Sequence, residues 1–278
     1  MPAQARRAVF VDVDGTLVDY RGRVPTSAQE AVSAARANGH VIMLCTGRSL
    51  SAIWAELHAI GWDGIIGAAG GYVEVDGHVL VHRHLPVEQV RHVVDFFDEH
   101  GVEYLLESNS GVYGSRGSPR RVREQMLYST NDPDLRAELT RSVANFLNRI
   151  ELDVDLVRDD INKVVFLGSR LTLDDIRVEF GQHFDIVPAS VAGFGGEMSI
   201  QGVHKASGIE AALEFLGIDR ADSVAFGDGF NDLEMLAYVG VGVAMGDAPA
   251  EVKAVADRIT GSPEEDGIRN GFAALGLI

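Results

Sequence analysis

The amino-acid sequence predicts an α/β fold: a doubly wound parallel sheet core carrying an inserted α+β domain. Three observations predict it. Short apolar runs alternate with helical segments over about the first eighty residues. The same alternation returns over about the last eighty, and the intervening block has a different rhythm. Strands alternating with helices across short loops form parallel sheets that are covered on both faces.

Taken in order, Ala8-Val9-Phe10-Val11 is an apolar run of strand length, broken by Asp12-Val13-Asp14-Gly15. Pro25-Thr26-Ser27 opens a helix, with Ser27 and Glu30 spaced as a capping box and Gly39 placed to stop it. Val41 to Cys45 reads as a buried strand leading into Thr46-Gly47-Arg48. Ser49 to Ile60 reads as a second helix ended by Gly61. Gly64-Ile65-Ile66 is short and apolar, and Tyr72 to Val81 around Asp76-Gly77 has a hairpin signature. Near the C-terminus a helix runs from Lys205 to Leu216 and stops at Gly217. The strand Ser223 to Phe226 then enters Gly227-Asp228-Gly229-Phe230-Asn231-Asp232, and another helix follows. Val241 to Ala244 is a strand, a helix starts near Pro249, and a last strand lies near Arg258-Ile259-Thr260. The whole is Rossmann-like.

The middle block holds expected helices at 86–100, 133–149 and 172–183, expected strands at 102–107 and 163–168, and a Gly-, Ser- and Arg-rich loop at 108–120. This organisation gives a discontinuous core, 1–83 and 191–278, and an inserted domain, 84–190. Its connections fall near 82–85 and 189–196, the latter containing Gly193, Gly195 and Gly196. One continuous sheet is the alternative. No repeat or low-complexity tract is present.

The 278 residues carry 24 Lys+Arg against 41 Asp+Glu, a formal charge of −17, and 46% of them are hydrophobic. Such a chain can bury a large core. Its acidity argues against nucleic-acid binding, which takes affinity from basic side chains on phosphates. No apolar run reaches the length of a membrane span, and the first residues lack a signal-peptide core. The single cysteine, Cys45, fits a reducing compartment, so a cytoplasmic location is expected. No obligate protein partner is evident. Only Lys163, Lys205 and Lys253 are lysines, a skew that compositional bias explains.

Asp12 and Asp14 stand two apart at the end of an apolar strand and point to one side. Two carboxylates 4 Å apart repel by roughly 4 kcal/mol at an effective dielectric near 20. Such a pair persists when a cation lies between them or one holds a proton, and the alternative is a solvated Asp-Gly turn. Asp228, again after a short apolar strand, adds a third hard oxygen donor, and the set suits Mg²⁺. The nine histidines are scattered without zinc spacing. Thr46, the Gly47 amide and a helix starting at Ser49 would form an anion site, or else an ordinary strand-to-helix turn. Lys205 opens a helix, where an ammonium is misplaced unless an anion is near. It is otherwise a surface lysine. Lys253 reads as a solvated helix face, and Lys163 as lining a cleft or marking a strand end.

Together Asp12-Val13-Asp14-Gly15-Thr16-Leu17, Thr46-Gly47-Arg48, Lys205 and Gly227-Asp228-Gly229-Phe230-Asn231-Asp232 resemble the four ordered motifs of the haloacid dehalogenase (HAD) superfamily. The resemblance is closest to its Cof-type phosphatases and covers essentially the whole chain. Val243 to Ala248 and Asp266-Gly267-Ile268 also match, while Asp247 stands where Asn is frequent and Ala68-Ala69-Gly70-Gly71 where an Asn-Gly pair is. The resemblance implies Asp12 as nucleophile forming an aspartyl-phosphate, and Asp14 as general acid and then base. It implies Mg²⁺ held by the carboxylates of Asp12 and Asp228 and the carbonyl of Asp14, with Asp232 orienting metal waters from outside that set. Thr46, Gly47, Lys205 and Asn231 would hold the phosphoryl group, with Arg48 and Asp232 further candidates for touching substrate or for supporting the residues that do. Asp14 and Gly47 are 33 positions apart, leaving no room for a large insertion between them. The implied α/β cap therefore lies between Arg48 and Lys205, over the catalytic edge. Its stretch Ser115 to Arg123 has four arginines, which would recognise a second anionic group or form a solvated basic loop.

The expected function is Mg²⁺-dependent hydrolysis of small phosphorylated metabolites, sugar phosphates foremost. The alternatives are a phosphohexomutase of the same fold and a phospho-ligand-binding protein without turnover.

Overall fold

The computed structural model describes residues 6–19, 21–128, 140, 144, 146–188 and 195–278. In chain order the first elements are β1 (Ala8–Val11), α1 (Thr26–Ala37), β2 (Val41–Cys45), α2 (Ala55–Ala59), β3 (Gly64–Gly67), β4 (Tyr72–Val75) and β5 (His78–His82). Next come α3 (Val87–His100), β6 (Glu103–Ser108), β7 (Val112–Gly114), α4 (Ser118–Tyr128), β8 (Ile150–Glu151) and β9 (Ile161–Leu167). Then follow α5 (Leu173–Phe180), β10 (Phe184–Pro188), β11 (Gly195–Ile200), α6 (Lys205–Leu216) and β12 (Ser223–Gly227). The last are α7 (Leu233–Tyr238), β13 (Val241–Ala244), α8 (Ala250–Val255), β14 (Arg258–Ile259) and α9 (Gly267–Ala274).

The chain divides into two compact units. One holds the chain through Arg48, Ile53–His82 and His204–Ile278; the other holds Ser49–Ala52 and Arg83–Val203. The first unit is built on an eight-stranded sheet, β14-β13-β12-β1-β2-β3-β4-β5. Its strands are parallel from β14 to β3, and β4 and β5 add an antiparallel hairpin. Every residue of β1, β2 and β12 is buried, as expected of parallel strands covered on both faces. Helix α1 buries Ala28, Ala31, Val32 and Ala35, the spacing of one helical face. The chain runs from β1 towards β3 on one side and from β12 towards β14 on the other. Strand order thus reverses between β1 and β12, the place where open α/β sheets bind ligands.

The second unit has a six-stranded sheet, β10-β11-β9-β6-β7-β8, antiparallel except for the β7–β8 pair. The two separate sheets rule out the single continuous one. An aromatic core fills one face: Phe97 lies 5.6 Å from Tyr104 and 5.7 Å from Phe180, and Phe180 lies 5.9 Å from Phe184, centroid to centroid. Burying each such ring contributes about 1.5–3 kcal/mol.

Several local expectations are corrected. Ser49 to Ile60 is not one helix: Leu50–Ala52 forms a 3₁₀ turn, Trp54 is extended, and α2 is only five residues long. Ser49–Ala52 also packs in the second unit, so the chain leaves the first unit and returns within this segment. Ser27 makes no capping box; its hydroxyl donates to Asp266 Oδ1 at 2.5 Å instead, because Pro25 already fixes the helix entry. The supposed loop at 108–120 contains β7 and the start of α4. Strand β11 pairs with β9, so the second unit continues to Val203 and Gly195 and Gly196 are strand residues, not part of a connection. The helix expected at 133–149 lies largely outside the described residues.

At the end of β6, Asp160 accepts from Arg158 Nε at 2.8 Å and Nη2 at 3.0 Å, and from the hydroxyls of Ser110 at 2.6 Å and Ser108 at 3.2 Å. The Arg158 guanidinium, helped by the two serines, holds the Asp160 carboxyl down to about 2 against the opposing effect of burial. A carboxyl depressed in the folded state stabilises it fully above the unfolded value near 4, and this contribution disappears as pH falls towards 2. Asp160→Asn is therefore expected to cost at most about 2 kcal/mol at neutral pH, with the difference from the parent closing between roughly pH 4 and 2. Urea unfolding across that range measures it, and a pH-independent difference would refute the assignment.

Candidate active site

The three strands β12, β1 and β2 bring the charged motifs to one sheet edge. Val11 is level with Phe226 on one side and Leu44 on the other. Asp12, Thr46 and Asp228 therefore emerge within one residue of a common level, at the C-terminal ends of their strands. The Asp12 amide still donates to the Phe226 carbonyl at 3.0 Å, so the nucleophile candidate is held by ladder geometry and is buried.

The chain after Asp12 folds back at once, with the amides of Leu17 and Val18 donating to the Val13 carbonyl at 3.0 and 2.9 Å. This turn places the buried Thr16 hydroxyl 3.0 Å from Asp228 Oδ1, to which it donates. Gly15 has φ +81°, and a Cβ there would lie 2.3 Å from Asp228 Oδ2. The backbone conformation and the close approach of the two acidic loops both require glycine.

Lys205 reaches this edge from α6. Helix α6 lies close over β3 and β4: a Cβ at Gly208 would lie 2.6 Å from Ile66 Cγ2 and 3.3 Å from Val73 Cγ2. Gly70 has φ +104°, and a Cβ there would strike the His204 carbonyl at 2.4 Å. His204 caps the helix, its Nδ1 accepting from the Ser207 amide at 3.2 Å while its own amide donates to Ser207 Oγ. The Lys205 side chain is fully buried. Its Nζ donates to Asp12 Oδ1 at 2.5 Å and to Asp232 Oδ1 at 2.6 Å. The other oxygen of Asp232 accepts from the amides of Asp228 at 3.0 Å and Gly229 at 2.9 Å. Asp232 thus ties lysine and the Asp228 loop together.

One ammonium faces three carboxylates here. Oxygens of Asp12, Asp228 and Asp232 lie within 4.8 Å of one another. Burial pushes the Asp12 carboxyl well up, and the charges of Asp232 and Asp228 add to this while Lys205 opposes it. Burial likewise pushes Asp228 up to about 7, with Asp232 adding to it and the Thr16 hydroxyl opposing. Burial works against charge on Lys205, yet Asp12 and Asp232 outweigh it and hold the ammonium well above its usual range. With all carboxylates ionised the cluster keeps two uncompensated negative charges. Its donors are all hard oxygens, so it fits a divalent cation of the Mg²⁺ kind.

Asp14 is turned towards Arg48, whose Nε and Nη2 donate to its two oxygens at 2.8 Å each. The guanidinium also lies 4.7 Å over the Trp54 ring. Arg48 is thereby a partner of Asp14. No helix starts at Ser49, so the anion site read there loses its helix dipole, and Thr46 Oγ1 accepts from the Arg48 amide at 3.2 Å. The segment is fixed from the other side by Ala68, whose amide donates to the Arg48 carbonyl at 2.7 Å, and Ala69, whose amide donates to the Thr46 carbonyl at 3.1 Å. Gly47 is buried, and Asn231 lies in the turn Phe230–Asp232 above Gly229.

Other expectations change. Lys253 is not a solvated face: its Nζ donates to the Gly246 carbonyl at 2.6 Å, in the loop that the Met245 amide ties to the Gly227 carbonyl. Three of the four arginines of 115–123 have partners inside the second unit, Arg116 with Asp153, Arg120 with Glu124, and Arg121 with Glu124 and the Gly168 carbonyl. Lys163 lies buried in mid-strand, 3.2 Å from Glu197 and 3.8 Å from Glu107. Thr16 and His204 went unnoticed in the sequence because one hydroxyl in a turn and one histidine before a helix carry no distinctive spacing.

A doubly wound sheet with acids, a buried lysine and a threonine at its switch point defines a hydrolase of the phosphatase type. The chain belongs to the haloacid dehalogenase-like hydrolases, whose family pattern matches residues 9–272. It is 28% identical to the putative phosphatase YkrA of Bacillus subtilis, over 98% of both chains. It is 26% identical to the pyridoxal phosphate phosphatase YbhA of Escherichia coli, over 94% of this chain and 96% of that one. Its fold superimposes on the HAD subclass IIB sugar phosphatase BT4131 with a TM-score of 0.79 and 27% identity, over 98% of this chain and 100% of that one.

Ala68 and Ala69 both have left-handed backbones, φ +47° and +54°. For alanine that conformation costs about 1–2 kcal/mol, part of which glycine recovers. Ala69→Gly is expected to stabilise the fold by about 0.5–1 kcal/mol and to raise Tm by about 2 °C in calorimetry. A lower Tm would refute strain at this position.

Proposed function

We propose that this enzyme hydrolyses phosphate monoesters of small metabolites, sugar phosphates foremost, through an aspartyl-phosphate on Asp12, with Mg²⁺ as its cofactor. The observation that carries the reading is the buried Asp12 carboxylate, 2.5 Å from the Lys205 ammonium at the sheet's switch point, with Asp14 two residues on. The named activities of relatives, towards pyridoxal phosphate and sugar phosphates, support the substrate class.

In this reading Asp12 attacks phosphorus and the ester P–O bond breaks. Asp14 gives its proton to the departing alcohol oxygen. Asp14 then takes a proton from a water that attacks the same phosphorus, the bond to Asp12 breaks, and inorganic phosphate leaves. Lys205 lowers the repulsion between the carboxylate and the incoming anion, and the Thr46 hydroxyl, Gly47 amide and Asn231 orient the phosphoryl oxygens. Asp12, Asp228 and the Asp14 carbonyl would hold the cation, with Asp232 adjoining them. When bound, Mg²⁺ supplies positive charge against the phosphoryl oxygens. Lone Cys45, fully buried, supports a cytoplasmic setting; no described helix is long and apolar enough to cross a membrane.

Uncatalysed monoester hydrolysis is so slow that accelerations reach ~10²¹. Asp12→Asn is accordingly expected to abolish phosphate release from a panel of sugar phosphates while circular dichroism stays that of the parent. Measurable turnover by that variant would remove Asp12 as nucleophile. Chelation with EDTA is expected to silence the enzyme and added Mg²⁺ to restore it. Full activity after exhaustive chelation would reject the cation.

A further inference from the structure

The loop that follows β13 reaches the same sheet edge as Asp12 and Asp228, and no step of the proposed reaction uses it. It belongs with them to the first unit. Gly227 is level with Ala244 across the parallel β12–β13 pair, and the Met245 amide donates to the Gly227 carbonyl at 3.0 Å. The loop thus begins beside Asp228. The Ala248 amide then donates back to the Met245 carbonyl at 3.2 Å, closing a β-turn with Asp247 at its third position. This turn is anchored on both sides. Met245 and Ala248 are buried, the Gly246 amide donates to the Gly261 carbonyl at 3.2 Å, and the Lys253 ammonium donates to the Gly246 carbonyl at 2.6 Å. A Cβ at Gly246 would lie 3.0 Å from the Ser262 amide nitrogen and the Thr260 carbonyl oxygen, so glycine lets the turn pack this closely.

Asp247 stands exposed at the tip of this anchored turn. Among the described residues its carboxylate has no hydrogen bond and no ion pair, and Lys253 directs its ammonium to a backbone carbonyl instead. The charge of Asp247 nevertheless reaches the site. Burial is the largest influence raising the Asp228 carboxyl, the charge of Asp232 adds to it, and that of Asp247 adds more weakly. With Asp12, Asp228, Asp232 and Lys205 all ionised, two negative charges already lack compensation. A fourth carboxylate, held nearby and unpaired, deepens that deficit, which a divalent cation relieves. Asp247 is not among the acids whose oxygens lie within 4.8 Å of one another, so it is not placed as a direct ligand. Mg²⁺ keeps several of its waters, and a carboxylate at the rim acts on the ion by charge and through those waters.

We propose that Asp247 is a further determinant of cation affinity, acting by its charge on the ion held by Asp12 and Asp228 and not as a ligand. The inference rests on the reading of this site as one for Mg²⁺. Asp247 takes no part in moving the phosphoryl group or a proton. Its contribution is to occupancy, so once the site is filled it has no further effect on the rate.

Titration of the whole protein with Mn²⁺, read from the free-ion signal in electron paramagnetic resonance, tests this without turnover, and competition gives the affinity for Mg²⁺. Asp247→Asn keeps the shape and removes the charge. It is expected to weaken binding of both ions about fivefold at about 0.01 M salt. Asp247→Glu should stay within about twofold of the parent. In about 1 M KCl, where charges are screened beyond ~3 Å, the loss in Asp247→Asn should shrink below about twofold. Glu214→Gln takes the same charge from an exposed position towards the far end of α6 from Lys205, and it should leave affinity within about twofold. With p-nitrophenyl phosphate, the half-saturating Mg²⁺ concentration should rise about fivefold in Asp247→Asn while kcat at saturating Mg²⁺ stays within about twofold. Equal Mn²⁺ affinity in parent and Asp247→Asn at low salt, a loss undiminished at high salt, or an equal loss in Glu214→Gln overturns the proposal and leaves the cation site standing. A parent protein that binds neither ion overturns the proposal together with the cation reading.

Discussion

The Lys205 ammonium, buried between Asp12 and Asp232, is the interaction on which the site depends. Removing one partner of such a buried pair typically costs about 3–5 kcal/mol, because the other charge is left without compensation. Much of the surrounding sequence serves to make this contact. Gly70 and Gly208 let α6 approach, and His204 fixes where the helix begins. Asp232 carries the lysine's influence into the Asp228 loop through two backbone amides. The same ammonium leaves the acidic cluster still short of positive charge, which is why the cluster suits a cation.

Much of this was legible in the sequence. The strands at 8–11, 41–45 and 223–227 are apolar throughout, and their order with intervening helices leads to a parallel sheet. Once the sheet is parallel, Asp12, Thr46 and Asp228 must share an edge. The helix from Lys205 to Leu216 was bounded at its end by Gly217. The motifs placed the chain in its family without any structural information.

What was not legible depends on contacts distant in sequence. Ser49 to Ile60 has the composition of a helix, but Ser49–Ala52 finds partners at 107–109 that outweigh local propensity. Pairing of Asp14 with Arg48 spans 34 positions and has no periodic signature. The basic stretch at 115–123 reads as unoccupied charge, and only the fold supplies Asp153, Glu124 and the Gly168 carbonyl. The contact of Asp232 with Lys205 was also not legible, because no spacing rule says which oxygen meets a lysine 27 positions away.

The excursion of Ser49–Ala52 also bears on how this architecture can be recombined. A segment inserted at a single point can be exchanged between relatives by cutting at its two ends. Here the second unit is assembled from two separate stretches of chain, 49–52 and 83–203. A chimera that transplanted only the long stretch would confront foreign residues at positions 107–109 with the recipient's own serines. Sequence drift at these two stretches is therefore expected to be correlated, and a graft of the second unit must carry the short stretch together with the long one.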